Sequence, residues 1–195
     1  SLRYGNEVSY PNNQIASSSL IGNNVNIGPH TAIQHNCVIE DNTSIGEGCL
    51  IESNVTIQQG SIIGNNCIIS PGVVIGSEGL GNARDIKKKW SPIAHLGNVQ
   101  IGNNVSIGPY SIVHSNVRIG DNTIIESNSV IYPHTEIGEN NKIYDHVIIG
   151  SDPQDLKFDI NIKTHVQILD NNIIREYSSI HRSTKEEKPT NIFSN

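Results

Sequence analysis

An isoleucine recurs at every sixth position along most of this chain of 195 residues. A period of six matches neither the 3.6-residue repeat of an α-helix nor the two-residue alternation of a half-buried strand. It does match a coil in which each hexad supplies one short strand and one corner, so that three hexads complete a triangular turn. The sequence therefore predicts an all-β fold of stacked parallel coils. The repeat residues are Ile15, Ile21, Ile27, Ile33, Ile39, Ile45, Ile51, Ile57, Ile63, Ile69 and Ile75, then Ile101, Ile107, Val113, Ile119, Ile125, Ile131, Ile137, Ile143 and Ile149, and finally Ile168, Ile174 and Ile180.

Two interruptions divide the repeat. The spacing from Ile75 to Ile101 and the spacing from Ile149 to Ile168 are not multiples of six, so each interval must contain a loop that leaves the coil. We expect one domain over residues 1–195, with coils at about 15–80, 101–150 and 168–184. The two loops are expected at about 76–100 and 151–167.

Two further slots in each hexad support the coil. The fourth position after each isoleucine takes small or β-branched residues, which should point inward beside the isoleucine stack. The third position is usually Asn or Gly, the residues that best tolerate the left-handed backbone of a sharp corner. The inward residues are Val25, Thr31, Cys37, Thr43, Cys49, Val55, Ser61, Cys67 and Val73, and corner residues include Asn24, Asn36, Asn42, Gly48, Asn54, Gly60, Asn66 and Gly72.

Composition excludes several classes of function. The net charge of -6 and the pI near 5.7 argue against a nucleic-acid or anionic-membrane surface, because both require a concentrated basic face. No stretch approaches the roughly 18 apolar residues of a transmembrane helix, so we expect a soluble, cytoplasmic protein. Methionine is absent even at position 1, so we expect a processed or excised piece. We also expect the domain to be truncated at its C-terminus.

All three cysteines occupy the inward slot. Cys49 and Cys67 are one coil apart, and this spacing alone would also permit a disulfide. The cytoplasmic assignment and the apolar slot favour reduced, buried thiols instead. No histidine or further cysteine shares this spacing, so no metal site is expected.

The repeat and both loops resemble known families. Period-six Ile-Gly-x-x-x-x coils resemble the hexapeptide acyltransferases, which are left-handed parallel β-helices that usually form trimers. The segment 76–82 with Lys89-Trp90 and residues 96–99 resembles the loop of UDP-3-O-acylglucosamine N-acyltransferases. Residues 151–158, with the segments 174–176 and 180–182, resemble UDP-N-acetylglucosamine O-acyltransferases. Both enzymes belong to lipid A synthesis.

The resemblance implies the chemistry of acyl transfer. A histidine deprotonates a sugar hydroxyl or amine, which then attacks a thioester carried by acyl carrier protein or coenzyme A. The second loop would supply the substrate-binding residues, with Lys157 as the cation for the diphosphate, Asp155 as an acceptor and Gln154 beside them. A salt bridge within the loop is the competing explanation for these two charges. His181 is expected to line the same cleft.

The catalytic histidine is not evident. In the N-acyltransferases it stands two residues after a repeat isoleucine, where this chain has Pro133 with His134 beside it. In the O-acyltransferases it lies beyond the Ile-His-Arg segment, past Asn195. His134 and His35 are the candidates that remain, and His35 alone occupies the catalytic slot, although it precedes both loops. A solvated corner is the competing explanation for His134.

The sequence leaves two functions open. The first is transfer of a 3-hydroxyacyl group to a UDP-linked glucosamine derivative, by a homotrimer that uses acyl carrier protein or coenzyme A as the thioester donor. The Gln154–Lys157 segment favours O-acylation over N-acylation. The second is a non-catalytic β-helix scaffold, which the missing histidine favours.

Overall fold

The computed structural model describes residues 13–77, the backbone of residues 82–84 and 90–92, and residues 98–195. Throughout these residues the chain forms short strands, mostly of two or three residues, and no helix. The strands stack into three parallel sheets of eight strands, one for each face of a triangular prism. The prediction of a left-handed parallel β-helix is confirmed.

Successive strands contribute in turn to the first, second and third faces. The first face contains β1 (Gln14–Ile15), β4 (Ala32–Ile33), β7 (Leu50–Ile51), β10 (Ile68–Ile69), β15 (Ser106–Ile107), β18 (Ile124–Ile125), β21 (Lys142–Ile143) and β24 (Ile173–Ile174). The second contains β2 (Leu20–Ile21), β5 (Val38–Ile39), β8 (Thr56–Ile57), β11 (Val74–Ser77), β16 (Ile112–His114), β19 (Val130–Ile131), β22 (Ile148–Ser151) and β25 (Ser179–His181). The third contains β3 (Asn26–Ile27), β6 (Ser44–Ile45), β9 (Ile62–Ile63), β14 (Gln100–Ile101), β17 (Val117–Ile119), β20 (Thr135–Ile137), β23 (Val166–Ile168) and β26 (Thr190–Ile192).

The repeat isoleucines stack on one another along the axis. Ile33 pairs with Ile51 and Ile51 with Ile69, one coil at a time, and all three are buried. Fully burying each isoleucine contributes roughly 1.5–3 kcal/mol before conformational entropy is subtracted. A column of identical side chains in parallel register therefore replaces the mixed core of a globular domain.

The inward slot also closes backbone hydrogen bonds between coils. Thr31 Oγ1 donates to the carbonyl of Gly46 at 2.8 Å and accepts the N–H of Cys49 at 3.1 Å. A buried backbone group without such a partner would cost free energy comparable to a lost hydrogen bond. The hydroxyl thus joins one coil to the next through two hydrogen bonds. The same pair of contacts is made by Ser111, Thr123 and Ser129.

The corners adopt the left-handed backbone that their sequence predicts. Asn residues dominate this slot, with φ near +60° at Asn54 and Asn66 among others. Larger side chains share it, and His134 (φ 61°) and Tyr110 (φ 59°) have the same conformation. A residue other than Gly, Asn or Asp loses roughly 1–2 kcal/mol in this region, so the coil overrides local preference at these positions.

Both loops leave the coil without shifting the register of the third face. Ile63 pairs directly with Ile101 across the first loop, and Ile137 pairs with Ile168 across the second. Within the first loop, β12 (Asn82–Arg84) and β13 (Trp90–Pro92) form an antiparallel pair. The first-loop residues 78–81, Lys89 and 96–97, which carry the N-acyltransferase resemblance, lie outside the described residues. β26 adds a strand after the region where we expect the last coil.

The three thiols are buried and form no disulfide with one another. Cys37, Cys49 and Cys67 each donate to a carbonyl of the next coil, at 3.0, 3.1 and 3.1 Å. Cys49 Sγ also accepts the N–H of Cys67 at 3.4 Å. Burial raises the pKa of the Cys37 thiol, and the hydrogen bond with Cys49 together with burial raises that of Cys67.

Because all three thiols are buried, we expect them to resist modification in the native protein. Labelling by a thiolate-specific reagent should be at least about a hundredfold slower in buffer than in denaturant, because exposure requires opening of the coil. Mass spectrometry of the labelled peptides measures each cysteine separately. Rapid native labelling of both Cys49 and Cys67 would show that this register is wrong.

Candidate functional site

Both loops leave the prism at one corner, where the second face meets the third. β11 and β22 end in the same tripeptide, Ile-Gly-Ser, at residues 75–77 and 149–151, and both strands are bulged there. Gly76 and Gly150 have φ values of 87° and 86°, which favour glycine. We call this edge of the prism the loop corner. Three strand spacings separate β11 from β22 on the second face, so the loops leave about 14 Å apart.

A groove of about 350 Å³ lies on the loop corner between the two loops. It is built from three neighbouring strands of the third face, β14, β17 and β20, and from the residues that precede these strands and β23. The first loop returns to the coil at one end of the groove, beside Asn98. The second loop returns to the coil at the other end, beside His165. The groove is lined by Asn98, Gln100, Asn116, Arg118, His134, Glu136, Lys163, Thr164 and His165.

The groove carries more basic than acidic groups. Arg118 and Lys163 supply two cations, and Glu136 supplies one carboxylate, which pairs with Arg118 at 3.4 Å. Both partners of this ion pair are largely exposed, so its contribution to stability is small. His134 and His165 add two imidazoles that can accept a proton or bind an anion. The groove therefore suits a polar ligand with negative charge.

Of the two predicted catalytic histidines, the structure places one on the loop corner. His134 lies in the groove, exposed, with its backbone bonded to Asn116 and Val166. His35 lies at the corner between the first and second faces, where Ser18 Oγ contacts its Nδ1 at 3.1 Å. His35 is therefore remote from both loops, and neither histidine's predicted role is tested by these positions.

The predicted substrate-binding residues of the second loop are exposed. Asp155 Oδ1 accepts the backbone N–H of Lys157 at 2.9 Å, which is an Asx turn. Within the described residues this turn, rather than a salt bridge, is the contact that joins the two residues. Lys157 Nζ has no hydrogen-bond or ion-pair partner among those residues. The Gln154 side chain is exposed, as is that of Lys157. Their predicted contact with a nucleotide sugar remains a prediction.

Arg182 fastens the second loop to the coil. Its Nε donates to Asp152 Oδ1 at 2.7 Å, and one terminal nitrogen donates to the Ile162 carbonyl at 2.8 Å. The guanidinium also lies over the Phe158 ring, 4.8 Å from its centroid. The side chain is only 12% exposed, so these charge-assisted contacts are shielded from water. One side chain thus holds both ends and the middle of the loop.

The base of each loop contains a serine–histidine contact. Ser77 Oγ lies 2.9 Å from His114 Nδ1, and Ser151 Oγ lies 3.0 Å from His181 Nδ1. Our sequence analysis included both serines and Arg182 only within the segments that resemble known families, and it assigned none of them a role. The repeated Ile-Gly-Ser before each loop, and the repeated aliphatic-His after it, could have revealed the pairing.

In the described ranges, no group of three or more His, Cys, Asp or Glu side chains is placed to hold a metal ion. That same part of the chain contains no helix long and apolar enough to cross a membrane.

Replacing Arg182 tests how the second loop is held. Arg182→Ala should leave the coil folded but should release residues 152–165 from it. The reason is that hydrogen bonds to a charged group contribute about 1.5–3 kcal/mol. Amide hydrogen exchange should then quicken in the loop by roughly tenfold or more and stay unchanged in the coil. Arg118→Ala, which removes an exposed arginine, is the control. Equal loop protection in both variants would mean that Arg182 does not fasten the loop.

Comparison with known proteins gives a family and partial relatives. The family described as bacterial transferase hexapeptide (six repeats) matches residues 18–50, 42–77, 98–133 and 116–151. A UDP-3-O-acylglucosamine N-acyltransferase from Vesicomyosocius okutanii subsp. Calyptogena okutanii (strain HA) is 70% identical over 30 residues, which are 15% of this chain and 9% of the relative.

Two solved structures are similar at low sequence identity. A UDP-N-acetylglucosamine acyltransferase from Bacteroides fragilis 9343 has 23% identity and a TM-score of 0.44, over 88% of this chain and 62% of that one. A mutant perosamine N-acetyltransferase from Caulobacter crescentus, in complex with CoA and GDP-perosamine, has 13% identity and a TM-score of 0.41, over 67% and 51%. This chain thus spans less than two thirds of either protein.

The family match covers more than half of the chain and follows the coils on both sides of the first loop. The chain belongs to the bacterial transferase hexapeptide family.

Proposed function

We propose that the protein is an acyltransferase that moves an acyl group from a thioester to a UDP-linked glucosamine derivative in lipid A or lipopolysaccharide synthesis. The observation that carries this proposal is the loop corner, where two loops flank one groove that contains imidazoles and cations. Acyl transfer from a thioester needs a proton acceptor and a site for a phosphorylated substrate, and both kinds of group are present there.

The second loop supports a nucleotide-sugar acceptor. Lys157 offers an exposed cation for the diphosphate, and the Asx turn at Asp155 fixes the backbone that carries it. Asp155 retains a carboxylate oxygen that can accept from a ribose or sugar hydroxyl. Gln154 adds an amide that can donate or accept. These groups suit a UDP-sugar, and the Gln154–Lys157 segment favours O-acylation.

The acyl group and its carrier are proposed from the resemblance of the two loops to the acyltransferases of lipid A synthesis. The proposed acyl group is a 3-hydroxyacyl chain, and the proposed donor is its thioester with acyl carrier protein or coenzyme A. The local relative is a UDP-3-O-acylglucosamine N-acyltransferase, which supports a glucosamine-based acceptor. A scaffold without catalysis is the competing function, and Pro133 in the expected histidine slot favours it. The assay below separates the two.

Replacement of Lys157 tests the acceptor site. Lys157→Ala should weaken the binding of UDP-N-acetylglucosamine by about 1–3 kcal/mol, since a charge-assisted contact to the diphosphate is lost. Titration calorimetry measures this change. Lys142→Ala, on the first face and away from the loop corner, is the matched control and should bind like the wild type.

A thioester-release assay with 3-hydroxyacyl donors tests the reaction itself. Release that depends on the UDP-sugar supports acyl transfer. Equal affinity in wild type and Lys157→Ala would contradict the assigned acceptor site. UDP-sugar binding without any thioester release would instead support the scaffold function.

The second face supports the proposed homotrimer. The first residue of each of its strands points outward, and most of these residues are aliphatic. Leu20 is 48% exposed and Ile148 is 38% exposed. An apolar column of this kind is expected to be covered by another copy of the chain. The outward aliphatic residues are Leu20, Val38, Val74, Ile112, Val130 and Ile148.

Sedimentation equilibrium should therefore give a trimer at micromolar concentration. Ile112→Glu should dissociate it, because the new carboxylate would be buried without a partner. Asn26→Glu on the third face is the control and should remain trimeric. A wild-type monomer with intact secondary structure would contradict the proposed assembly.

A further inference from the structure

We propose that Arg118 and Lys163 bind the phosphate ester of the thioester donor in the groove of the loop corner, and that Glu136 holds Arg118 while this site is empty. This inference rests on the proposed function. Acyl carrier protein and coenzyme A both carry the thioester on a phosphopantetheine arm, so the two donors share this phosphate. Lys157, the residue proposed for the diphosphate of the UDP-sugar, is not among the described residues that line the groove. The groove therefore offers a second phosphate site, separate from that of the acceptor.

The guanidinium of Arg118 keeps most of its donors available. In the part of the chain that the structure describes, it makes one hydrogen bond, to Glu136 Oε1 at 3.4 Å. A charge-assisted hydrogen bond is usually about 2.7–2.9 Å long, and the Arg118 side chain is 66% exposed, so this contact is weak. Arg182, by contrast, is 2.7 Å from its carboxylate and 12% exposed. Arg182 is thus committed to the fold, whereas Arg118 can leave Glu136 for a ligand.

The second loop presents Lys163 from a restrained backbone. Arg182 donates to the Ile162 carbonyl at 2.8 Å and to Thr164 Oγ1 at 3.3 Å, and these two residues flank Lys163. The Lys163 side chain is exposed in the groove, and its Nζ has no hydrogen-bond or ion-pair partner within the described ranges. A cation whose backbone is already ordered loses less entropy when it binds a ligand.

Glu136 lies between the two cations along the third face. Arg118 on β17 pairs in register with Glu136 on β20, which pairs in turn with Gln167 on β23. Lys163 precedes β23, so Glu136 is one coil from each cation. Among the described residues that line the groove, Glu136 supplies the one carboxylate. A phosphate attracted by both cations must compete with this carboxylate for Arg118 and is repelled by it.

A phosphate group matches the donors of this site. The planar guanidinium can bind two phosphate oxygens at once, and the lysine ammonium can bind a third as a point charge. His165, half-buried at the same end of the groove, adds an imidazole that can donate to a phosphate oxygen. Together these groups bring more positive charge than Glu136 neutralises.

Two neutral substitutions with opposite effects test the site. Titration calorimetry with 4′-phosphopantetheine should show binding that is about tenfold or more weaker in Arg118→Gln, because a charge-assisted contact is lost. Glu136→Gln should bind about two- to fivefold more tightly, because an exposed ion pair no longer competes with the ligand. Arg175→Gln and Glu176→Gln are the matched controls, since these residues form an exposed ion pair at the corner between the first and second faces. Both controls should bind like the wild type.

Equal affinity for 4′-phosphopantetheine in wild type and Arg118→Gln would overturn the proposal, and so would weaker binding by Glu136→Gln. Coenzyme A and the phosphopantetheine-bearing acyl carrier protein, titrated separately, identify the donor. At least one of them should lose affinity in Arg118→Gln, and a loss in neither would contradict the site.

Titration with UDP-N-acetylglucosamine separates this site from that of the acceptor. Arg118→Gln should bind the UDP-sugar like the wild type. A tenfold loss of UDP-sugar affinity in this variant would assign the groove to the acceptor and overturn the donor site. Binding of 4′-phosphopantetheine through Arg118 without thioester release in the assay above would keep the phosphate site and refute the proposed function. Thioester release with no dependence of donor affinity on Arg118 would do the reverse.

Discussion

The stack of coils in this protein depends on the contact between a repeat isoleucine and its counterpart in the next coil. Because the strands are parallel and in register, Ile33, Ile51 and Ile69 each meet an identical side chain above and below. No residue has to match a distant and different partner, as it would in a globular core. Stability therefore grows with the number of coils, and a chain with few aromatic residues can still form an ordered interior.

The isoleucine column also sets the backbone at the corners. A chain that turns through a triangle every three hexads must bend sharply after each strand, and the left-handed conformation provides that bend. Asn accepts it readily, whereas His134 and Tyr110 adopt it at a cost. Such residues are stable there only because neighbouring coils hold the backbone. The loop corner can therefore present an imidazole at a corner position without losing the fold.

The strands, the inward slot and the corner slot were all predictable from the sequence, because each depends on a short-range repeat. The groove was not. Its lining residues are far apart in the chain, and their meeting depends on how many residues each loop removes from the coil. Arg182 was recognised only as part of an Ile-His-Arg segment, since nothing in its sequence neighbourhood indicates contacts with Asp152 and Ile162. His134 was identified, but its neighbours Lys163 and His165 were not.

Because Ile63 pairs directly with Ile101, the length of the first loop does not affect the packing of the coil, although the two are coupled in most folds. In a globular domain, a change in loop length alters the packing beneath it. Here the coil closes behind the loop as though those residues were absent, so the loop can be lengthened, shortened or replaced without a compensating change in the interior. A glycine with positive φ and one bulge are enough to open the way out. Ligand preference can thus diverge rapidly between relatives, while the prism that carries the loops stays almost unchanged.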